Sequence, residues 1–268
     1  MTFRKKVVLF LRDIISLVIY LLIYFRERKG DVTLVYHSVG HIEPQADPYR
    51  INVLPEIFDK HLEVISGNKN RIDITFDDGY SNNFTDTFPL LKKYNLSATF
   101  FLVTDFVDGK IKSEVLGGKD FKERPLRWDE IKIMDRAGMR FGSHSKTHKF
   151  LTRVSEEQLK SELSDSKSRI EQVLGHQIDS FAYPFGDVDS FNGGIKAVLK
   201  ESNYNYAYTN IMGSNSAEHS DEFALRRIRI HSEDGPFRLK MKIKGAYDWV
   251  GALRSKIKGI KANYVATL

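Results

Sequence analysis

The chain has 268 residues, no cysteine, and 41 lysines and arginines against 35 aspartates and glutamates, which gives a formal charge of +6. Its hydrophobic content of 41% is enough for a full core, so disorder and a coiled coil are excluded as descriptions of the whole chain. The lack of cysteine excludes a disulfide scaffold, an iron–sulfur site and a thiol nucleophile, and any metal site must consist of His, Asp and Glu.

The charge is distributed unevenly along the chain. Residues 1–30 carry a net charge of +5 and residues 236–268 carry +7, whereas the part between them carries −6. This pattern argues against a nucleic-acid groove across the body. It favours an anionic membrane surface as the partner of the two basic ends.

The N-terminal segment, residues 1–30, contains an apolar stretch from Val7 to Phe25 that is interrupted by Arg12, Asp13 and Ser16. The stretch is just long enough to span a bilayer, which takes about 20 residues. Its polar residues recur at helical spacing, which also fits a helix lying in the membrane interface. A helix packed against the fold is the third interpretation. The lack of a small-residue cleavage site before Arg26 argues against a removable signal peptide.

From residue 31 onward, predicted strands alternate with predicted helices. The strands are expected at 33–36, 72–76, 98–103, 140–143, 178–183, 204–209 and 225–230. Ser155 and Gln158 form a capping box at the start of the most regular helix, which ends at Gly175. About seven β/α repeats without a flexible linker predict one α/β domain, residues 31–235, with a parallel sheet curled into a distorted (β/α) barrel. Residues 236–268 are predicted to form a basic helical tail.

Three motifs follow predicted strands: Asp77-Asp78-Gly79, the pair His144 and His148, and a Tyr-Pro-Phe-Gly turn that contains Phe185. Each alone has an ordinary explanation as a turn or a solvated loop. Together they lie where the loops of such a fold carry chemistry. Two histidines and one carboxylate make a three-ligand metal site with an open position for water. Two adjacent aspartates of an extended chain point different ways, so one can bind the metal while the other acts as a base in metal-assisted hydrolysis.

These motifs closely resemble the signature motifs of the polysaccharide deacetylases, the NodB-homology or carbohydrate esterase 4 family. The segments that carry the resemblance are Thr75–Gly79, Ser143–His148 and Phe181–Gly186. The segment Leu34–Val39 is similar to the opening strand of the branch that de-N-acetylates poly-N-acetylglucosamine. The resemblance covers roughly residues 31–230. It implies a distorted (β/α) barrel that hydrolyses acetyl groups on sugars with a bound divalent ion, usually zinc.

The resemblance also implies roles for individual residues. Asp77 would be the general base, and Asp78, His144 and His148 would be the metal ligands. The backbone N–H of Phe185 would help to hold the oxyanion, a role in which one donor can contribute about 3 kcal/mol.

The chain departs from the family pattern at two positions. Many members have an arginine in the third motif that orients the base, and this chain has Ala182 there. Arg227 is expected to substitute for it. The nearest match to the late Leu-x-His motif, which supplies a general acid, ends at His231, although His231 suits a surface position equally well. His37 follows the first strand and is expected near the same mouth, as a structural residue or as part of the site.

The sequence therefore predicts a membrane-associated, metal-dependent hydrolase of the bacterial cell envelope. It would remove N-acetyl groups from acetylated sugars of a glycan or a lipid-linked glycan. The alternatives are a deformylase or other deacylase of a lipid-linked amino sugar and a catalytically silent glycan-binding module. The side of the membrane stays open because basic residues flank both ends of the apolar stretch.

Overall fold

The computed structural model of the protein describes residues 3–68, 71–216 and 220–253. Its strands are short, and most of their residues are buried. They are β1 (Val32–Tyr36), β2 (Ser38–Val39), β3 (Asn52–Val53), β4 (Ile72–Phe76), β5 (Thr99–Leu102), β6 (Arg140–Ser143), β7 (Ser180–Ala182), β8 (Tyr206–Tyr208) and β9 (Ile228–Arg229).

The main sheet has the strand order β8-β7-β6-β5-β4-β1-β9, and each neighbouring pair is parallel. The pair β2 and β3 forms a separate two-stranded parallel sheet. Parallel neighbours require crossover connections, which helices supply here, as the alternation of predicted elements indicated. Because the carboxyl ends of parallel strands share one edge, the three predicted motifs are brought to the same end of the sheet.

The helices lie in the connections and at the two ends of the chain. They are α1 (Phe3–Ile23), α2 (Pro55–Ser66), α3 (Phe88–Lys93), α4 (Thr104–Val107), α5 (Glu114–Gly117), α6 (Trp128–Arg136), α7 (Glu156–Leu174), α8 (Gly193–Glu201) and α9 (Pro236–Ile243). The predicted capping box of α7 is confirmed: the Ser155 hydroxyl accepts a hydrogen bond from Gln158 N (3.2 Å), and the Gln158 side chain accepts one from Ser155 N (3.3 Å).

The segment 225–229 closes the sheet into a distorted barrel. Leu225 N donates to the Ala207 carbonyl (2.9 Å), so the segment starts by pairing with β8. Ile228 and Arg229 then form β9 and pair with Leu34 and Val35 of β1. One segment thus connects β8 at one end of the strand order with β1 near the other, and the predicted fold class is confirmed.

Alternation along the strands places an aromatic layer on one face and a mixture of polar and apolar side chains, including Thr75 and Phe101, on the other. Tyr36, Phe76, Phe100 and Phe141 lie side by side in register on neighbouring strands, with ring centroids 5.0–5.7 Å apart. Successive side chains of a strand point to opposite faces, so residues next to these aromatics face the inside of the barrel. Arg227 occupies that interior and is fully buried.

The two ends of the chain pack against each other outside the barrel. Asp13 of α1 accepts hydrogen bonds from Arg238 (2.7 Å) and from the Tyr247 hydroxyl (3.0 Å). Leu239 and Ile243 of α9 belong to the main hydrophobic core. Residues 236–243 are therefore part of the body, which corrects the predicted boundary at 235, and residues 254–268 of the predicted tail lie outside the described residues.

Helix α1 docks on the body by one face only. Ser16 and Tyr20 are buried against the C-terminal segment, where Trp249 Nε1 donates to the Ser16 hydroxyl (3.1 Å). The opposite face leaves Phe10, Leu21 and Leu22 exposed, with Leu22 78% accessible. Among the described residues, no helix combines the length and the apolar character needed to cross a membrane.

A buried ion pair holds α9 to the loop before it. The Lys242 ammonium donates to the Asp234 carboxylate, and both side chains are at most 4% exposed. Burial would raise the pKa of Asp234, but Lys242 and the His231 backbone N–H stabilise its charged form, and the net effect is to lower that pKa. Burial lowers the pKa of Lys242, and the Asp234 carboxylate opposes this effect, so each partner stabilises the charged form of the other.

We expect Asp234→Ala to lower the free energy of unfolding by about 3–5 kcal/mol, because it leaves the charge of Lys242 buried without a partner. Asp221→Ala is the matched control, since Asp221 pairs with Lys196 at the surface, where an ion pair contributes at most about 1 kcal/mol. Urea denaturation followed by circular dichroism measures both values. Equal losses in the two variants would contradict the stabilising role of the buried pair.

Candidate active site

The chain turns sharply after β4 and separates two consecutive carboxylates. Asp78 has φ +76° and Gly79 has φ +86°, both in the left-handed region. Aspartate is among the few residues that adopt this conformation readily. A Cβ atom on Gly79 would lie 2.9 Å from Leu102 Cδ2, so the tight approach to β5 favours glycine there. Because of this turn, Asp77 and Asp78 face different partners.

Asp78 faces both histidines of the second motif. Its Oδ1 lies 3.6 Å from His144 Nε2 and 3.7 Å from His148 Nε2. One potential ligand atom from each of the three residues lies within 4.8 Å of the others. Asp78 and His144 are buried, and His148 is half-buried at the edge of the cavity.

Contacts behind the histidines fix their orientation. His144 Nδ1 donates to the Ala182 carbonyl (2.7 Å), which leaves Nε2 directed at Asp78. The buried Glu162 of α7 accepts hydrogen bonds from the backbone N–H groups of Lys146 (3.0 Å) and Thr147 (2.8 Å). The loop that sets the spacing of the two histidines is thus anchored to a helix.

The electrostatics of the three residues fit a divalent ion. Asp78 Oδ1 is buried and has no hydrogen-bond partner. Burial, reinforced by the neighbouring Asp77, raises the pKa of Asp78 to about 7, and burial lowers the pKa of His148 to about 3. The histidines are therefore neutral, with Nε2 atoms available as ligands, and a cation would relieve the cost of ionising Asp78.

Asp77 forms a bidentate ion pair with Arg227 inside the barrel. Arg227 Nη1 donates to Asp77 Oδ1 and Nη2 donates to Oδ2, both at 2.7 Å. The two side chains are 1% and 0% exposed. Burial alone would raise the pKa of Asp77, but the guanidinium outweighs it and holds that pKa well below its usual range. Arg227 also donates to Asn210 Oδ1 (3.1 Å) and to Thr209 O (2.9 Å), which fixes its plane.

Phe185 lies at the rim of the same cavity. Its φ of +65° turns the chain after β7, and its ring is 41% exposed. The ring centroid is 4.9 Å from that of His148 and 3.8 Å from that of Phe150, on which it stacks. Asn210 Nδ2 donates to the Phe185 carbonyl (3.0 Å). Since Asn210 Oδ1 accepts from Arg227, one side chain connects this turn with Arg227.

The structure brings together all but one of the predicted site residues. One cavity of about 310 Å³ is lined by Asp77, Asp78, His144, His148 and Phe185. Arg227 lies directly behind Asp77.

His231 is the exception, because it lines a neighbouring cavity. Its backbone N–H donates to Asp234 (2.8 Å), and burial lowers the pKa of its side chain to about 3. This placement corrects the expectation that His231 serves the site. His37 lines the cavity of Asp77 instead, and its Nδ1 is buried without a hydrogen-bond partner.

The sequence did not single out three further residues near the site, Glu162, Asn210 and Arg229. Arg229 lines the cavity, and its position was deducible because it is two residues after Arg227 in the predicted strand 225–230, and alternate residues of a strand share a face. Glu162 and Asn210 act through contacts between distant segments, for which no local pattern exists.

A family model described as polysaccharide deacetylase matches residues 65–207, which is more than half of the chain and includes all three motifs. The chain therefore belongs to the polysaccharide deacetylase family, as its motifs predicted.

Individual relatives agree with this assignment. The chain is 30% identical over 167 residues to the peptidoglycan-N-acetylmuramic acid deacetylase PdaA of Bacillus subtilis, which covers 62% of this chain and 54% of that protein. It spans about half the length of that relative and half or less of other curated relatives it matches.

Solved structures share the fold. BC0361, a polysaccharide deacetylase from Bacillus cereus, superposes with a TM-score of 0.66 and 25% identity over 80% of this chain and 69% of that one. The Streptococcus pyogenes deacetylase PplD, solved in complex with acetate, superposes with a TM-score of 0.69 and 23% identity over 81% of this chain and 99% of that one.

We expect His144→Ala and Asp78→Asn to weaken binding of a divalent ion by at least about 100-fold. Loss of a group that only supports a ligand already costs 10–100-fold, and these variants remove a ligand itself. The metal content of the purified protein after dialysis, measured by mass spectrometry, checks this. His176→Ala removes an exposed histidine far from the cluster and should retain the wild-type content. Retention of full metal by His144→Ala would exclude this cluster as the site.

Proposed function

We propose that this chain is a metal-dependent hydrolase that removes N-acetyl groups from the sugars of a glycan or a lipid-linked glycan. The observation that carries the proposal is the pairing of two sites in one cavity: a cluster of Asp78, His144 and His148, and beside it a carboxylate, Asp77, held ionised by Arg227. Membership of the polysaccharide deacetylase family supports the same reaction.

Asp78, His144 and His148 would hold the ion, and we propose zinc because two imidazoles and one carboxylate suit it. When bound, such an ion lowers the pKa of a water molecule and polarises a carbonyl oxygen. All three residues line the cavity, so a substrate and a water molecule in it would be within reach of such an ion.

Asp77 accepts the proton of the attacking water. A carboxylate with a strongly lowered pKa is a weak base, so it takes a proton only from a water that has become acidic. Arg227 is a positioning residue: its two hydrogen bonds fix the plane of the Asp77 carboxylate and keep the group charged.

Two further groups would serve the tetrahedral intermediate. Phe185 lies at the rim of the cavity, and we propose that its backbone N–H donates to the oxyanion. As the C–N bond of the intermediate breaks, the amine nitrogen receives the proton that Asp77 accepted from water. His37 replaces His231 in our proposal as the imidazole near this nitrogen, because His37 lines the cavity and His231 does not.

We expect Asp77→Asn to lower acetate release from an acetylated glucosamine oligosaccharide by about 10²–10⁴-fold, the usual contribution of a general base. The amide is close in size to the carboxylate, so metal content should stay at the wild-type level. An enzymatic acetate assay, with formate measured in parallel, reports the activity and the acyl group that is removed.

Asp129→Asn, at an exposed position on α6, is the matched control and should keep wild-type activity. The proposal fails if the metal-loaded wild-type protein releases no acyl group from any acetylated sugar. Undiminished activity of Asp77→Asn would exclude Asp77 as the base.

We also propose that α1 lies on an anionic membrane surface. One face of α1 is fixed to the body through Asp13, Ser16 and Tyr20, and the opposite face presents large apolar side chains to the outside. A continuous apolar face beside basic residues is the pattern of a helix that binds the headgroup region. The basic ends of the chain add electrostatic attraction to anionic lipid.

We expect the double variant Phe10→Glu/Leu22→Glu to weaken binding to phosphatidylglycerol vesicles by at least about tenfold, because each substitution removes a large apolar side chain from the interface. Sedimentation of the full chain with vesicles measures the bound fraction. Ile133→Glu, on the exposed side of α6, should bind like the wild type. Absence of wild-type binding, or equal loss with Ile133→Glu, would contradict the membrane role of α1.

A further inference from the structure

A second cavity, of about 90 Å³, lies next to the candidate active site. We call it the basic cavity, since cationic side chains of three different elements line it: Arg12 of α1, Arg229 of β9 and Lys242 of α9. Its volume corresponds to about three water molecules at about 30 Å³ each, which is room for a small polar group.

The basic cavity adjoins the cavity that contains Asp77 and Asp78. Asp187, Asn210 and Arg229 line both of them, so the two spaces are separated only by shared side chains. A group bound in the basic cavity is therefore close to a sugar whose acetyl group is at the metal-binding residues.

The cationic groups of the basic cavity differ in how they are paired. Lys242 is bonded to Asp234, and Arg12 donates two hydrogen bonds to Asp13. Arg229 Nε is buried without a hydrogen-bond partner, while the Asp187 carboxylate, which also lines the cavity, favours the charged form of the guanidinium. A buried donor without an acceptor is costly, and an oxyanion is the group that satisfies a guanidinium best.

We propose that the basic cavity binds a phosphate group attached to the acetylated sugar, which makes the substrate an amino-sugar phosphate or phosphodiester. This inference rests on the proposed deacetylase function and specifies its substrate class. Phosphate fits better than a carboxylate because its several oxygens can accept from Arg229, Arg12 and Lys242 on different sides of the cavity.

The position of α1 agrees with a phosphodiester that also carries a lipid. The same helix places Arg12 in the basic cavity and leaves an apolar face exposed on its other side. A phosphate that links a sugar to a lipid lies at the membrane surface, between the apolar chain and the sugar. Helix α1 has Arg12 on the side of the sugar and its apolar face on the side of the lipid chain.

The test compares two substrates that differ only in the phosphate: octyl N-acetylglucosaminide and octyl N-acetylglucosaminyl phosphate. We expect the metal-loaded wild-type enzyme to have a kcat/KM at least about tenfold higher for the phosphodiester, the gain that one charge-assisted hydrogen bond provides. Arg229→Gln should reduce this ratio to about one to three, and Arg12→Gln should reduce it severalfold. Arg226→Gln removes an exposed charge from the same segment outside the basic cavity and should leave the ratio unchanged.

Arg12→Gln is decisive because Arg12 does not line the active-site cavity, so its effect on the uncharged substrate should be small. Equal kcat/KM for the two substrates, or a preference that survives in both Arg229→Gln and Arg12→Gln, would overturn the proposal. It would also be overturned if inorganic phosphate raised activity toward the uncharged glycoside in the wild type but not in Arg12→Gln, since phosphate would then be a separate ligand.

Calorimetric binding of the phosphodiester to the metal-loaded protein separates this proposal from the function on which it rests. Binding that weakens in Arg12→Gln and not in Arg226→Gln supports the phosphate site even when neither substrate is hydrolysed, and in that case only the deacetylase function fails. Equal binding by all variants excludes the site.

Discussion

The ion pair of Asp77 and Arg227 is the interaction on which the rest of the structure depends. The two residues are 150 positions apart, and their side chains meet because the segment 225–229 pairs with β8 at its start and with β1 at its end. Closing the barrel therefore brings the guanidinium to the carboxylate, and the carboxylate in turn satisfies a charge that would be very costly in the interior. Closure of the barrel therefore also fixes the orientation of the candidate base.

Two neighbouring carboxylates ordinarily repel each other in a buried site. In this fold a different positive group stabilises each of them. Arg227 neutralises Asp77 from inside the barrel. The left-handed turn at Asp78 directs the other carboxylate to the opposite side, toward His144 and His148, where a cation would neutralise it. Without the cation, burial and Asp77 raise the pKa of Asp78 to about 7, and without Arg227, Asp77 would lose the group that holds its pKa low.

The fold and the metal-binding residues could be predicted because their signals are local: regular strand patterns, and ligands placed directly after strands. Arg227 could be predicted because an arginine near Asp77 was needed and the last strand offered one. The position of His37 near the mouth could be predicted because His37 follows a strand. The exclusion of His231 from the cavity could not, since His231 also follows a strand and barrel closure decides where it lies. Likewise, the basic composition after residue 235 predicted a tail, whereas Leu239 is buried in the core. Glu162 gave no signal, because its function is a contact between a helix and a distant loop.

The anchoring of the histidine loop by Glu162 has a consequence for how this site can vary in evolution. The carboxylate of Glu162 recognises backbone N–H groups, which every residue except proline possesses, at positions 146 and 147. The Lys146 side chain bonds instead to Asp165, at the surface. Position 146 can therefore vary in its side chain without loss of the anchoring contact, whereas position 147 is restricted further, since the Thr147 hydroxyl also donates to Glu162. One acidic side chain on a neighbouring helix thus fixes the spacing of the two imidazoles and leaves position 146 open to substitution.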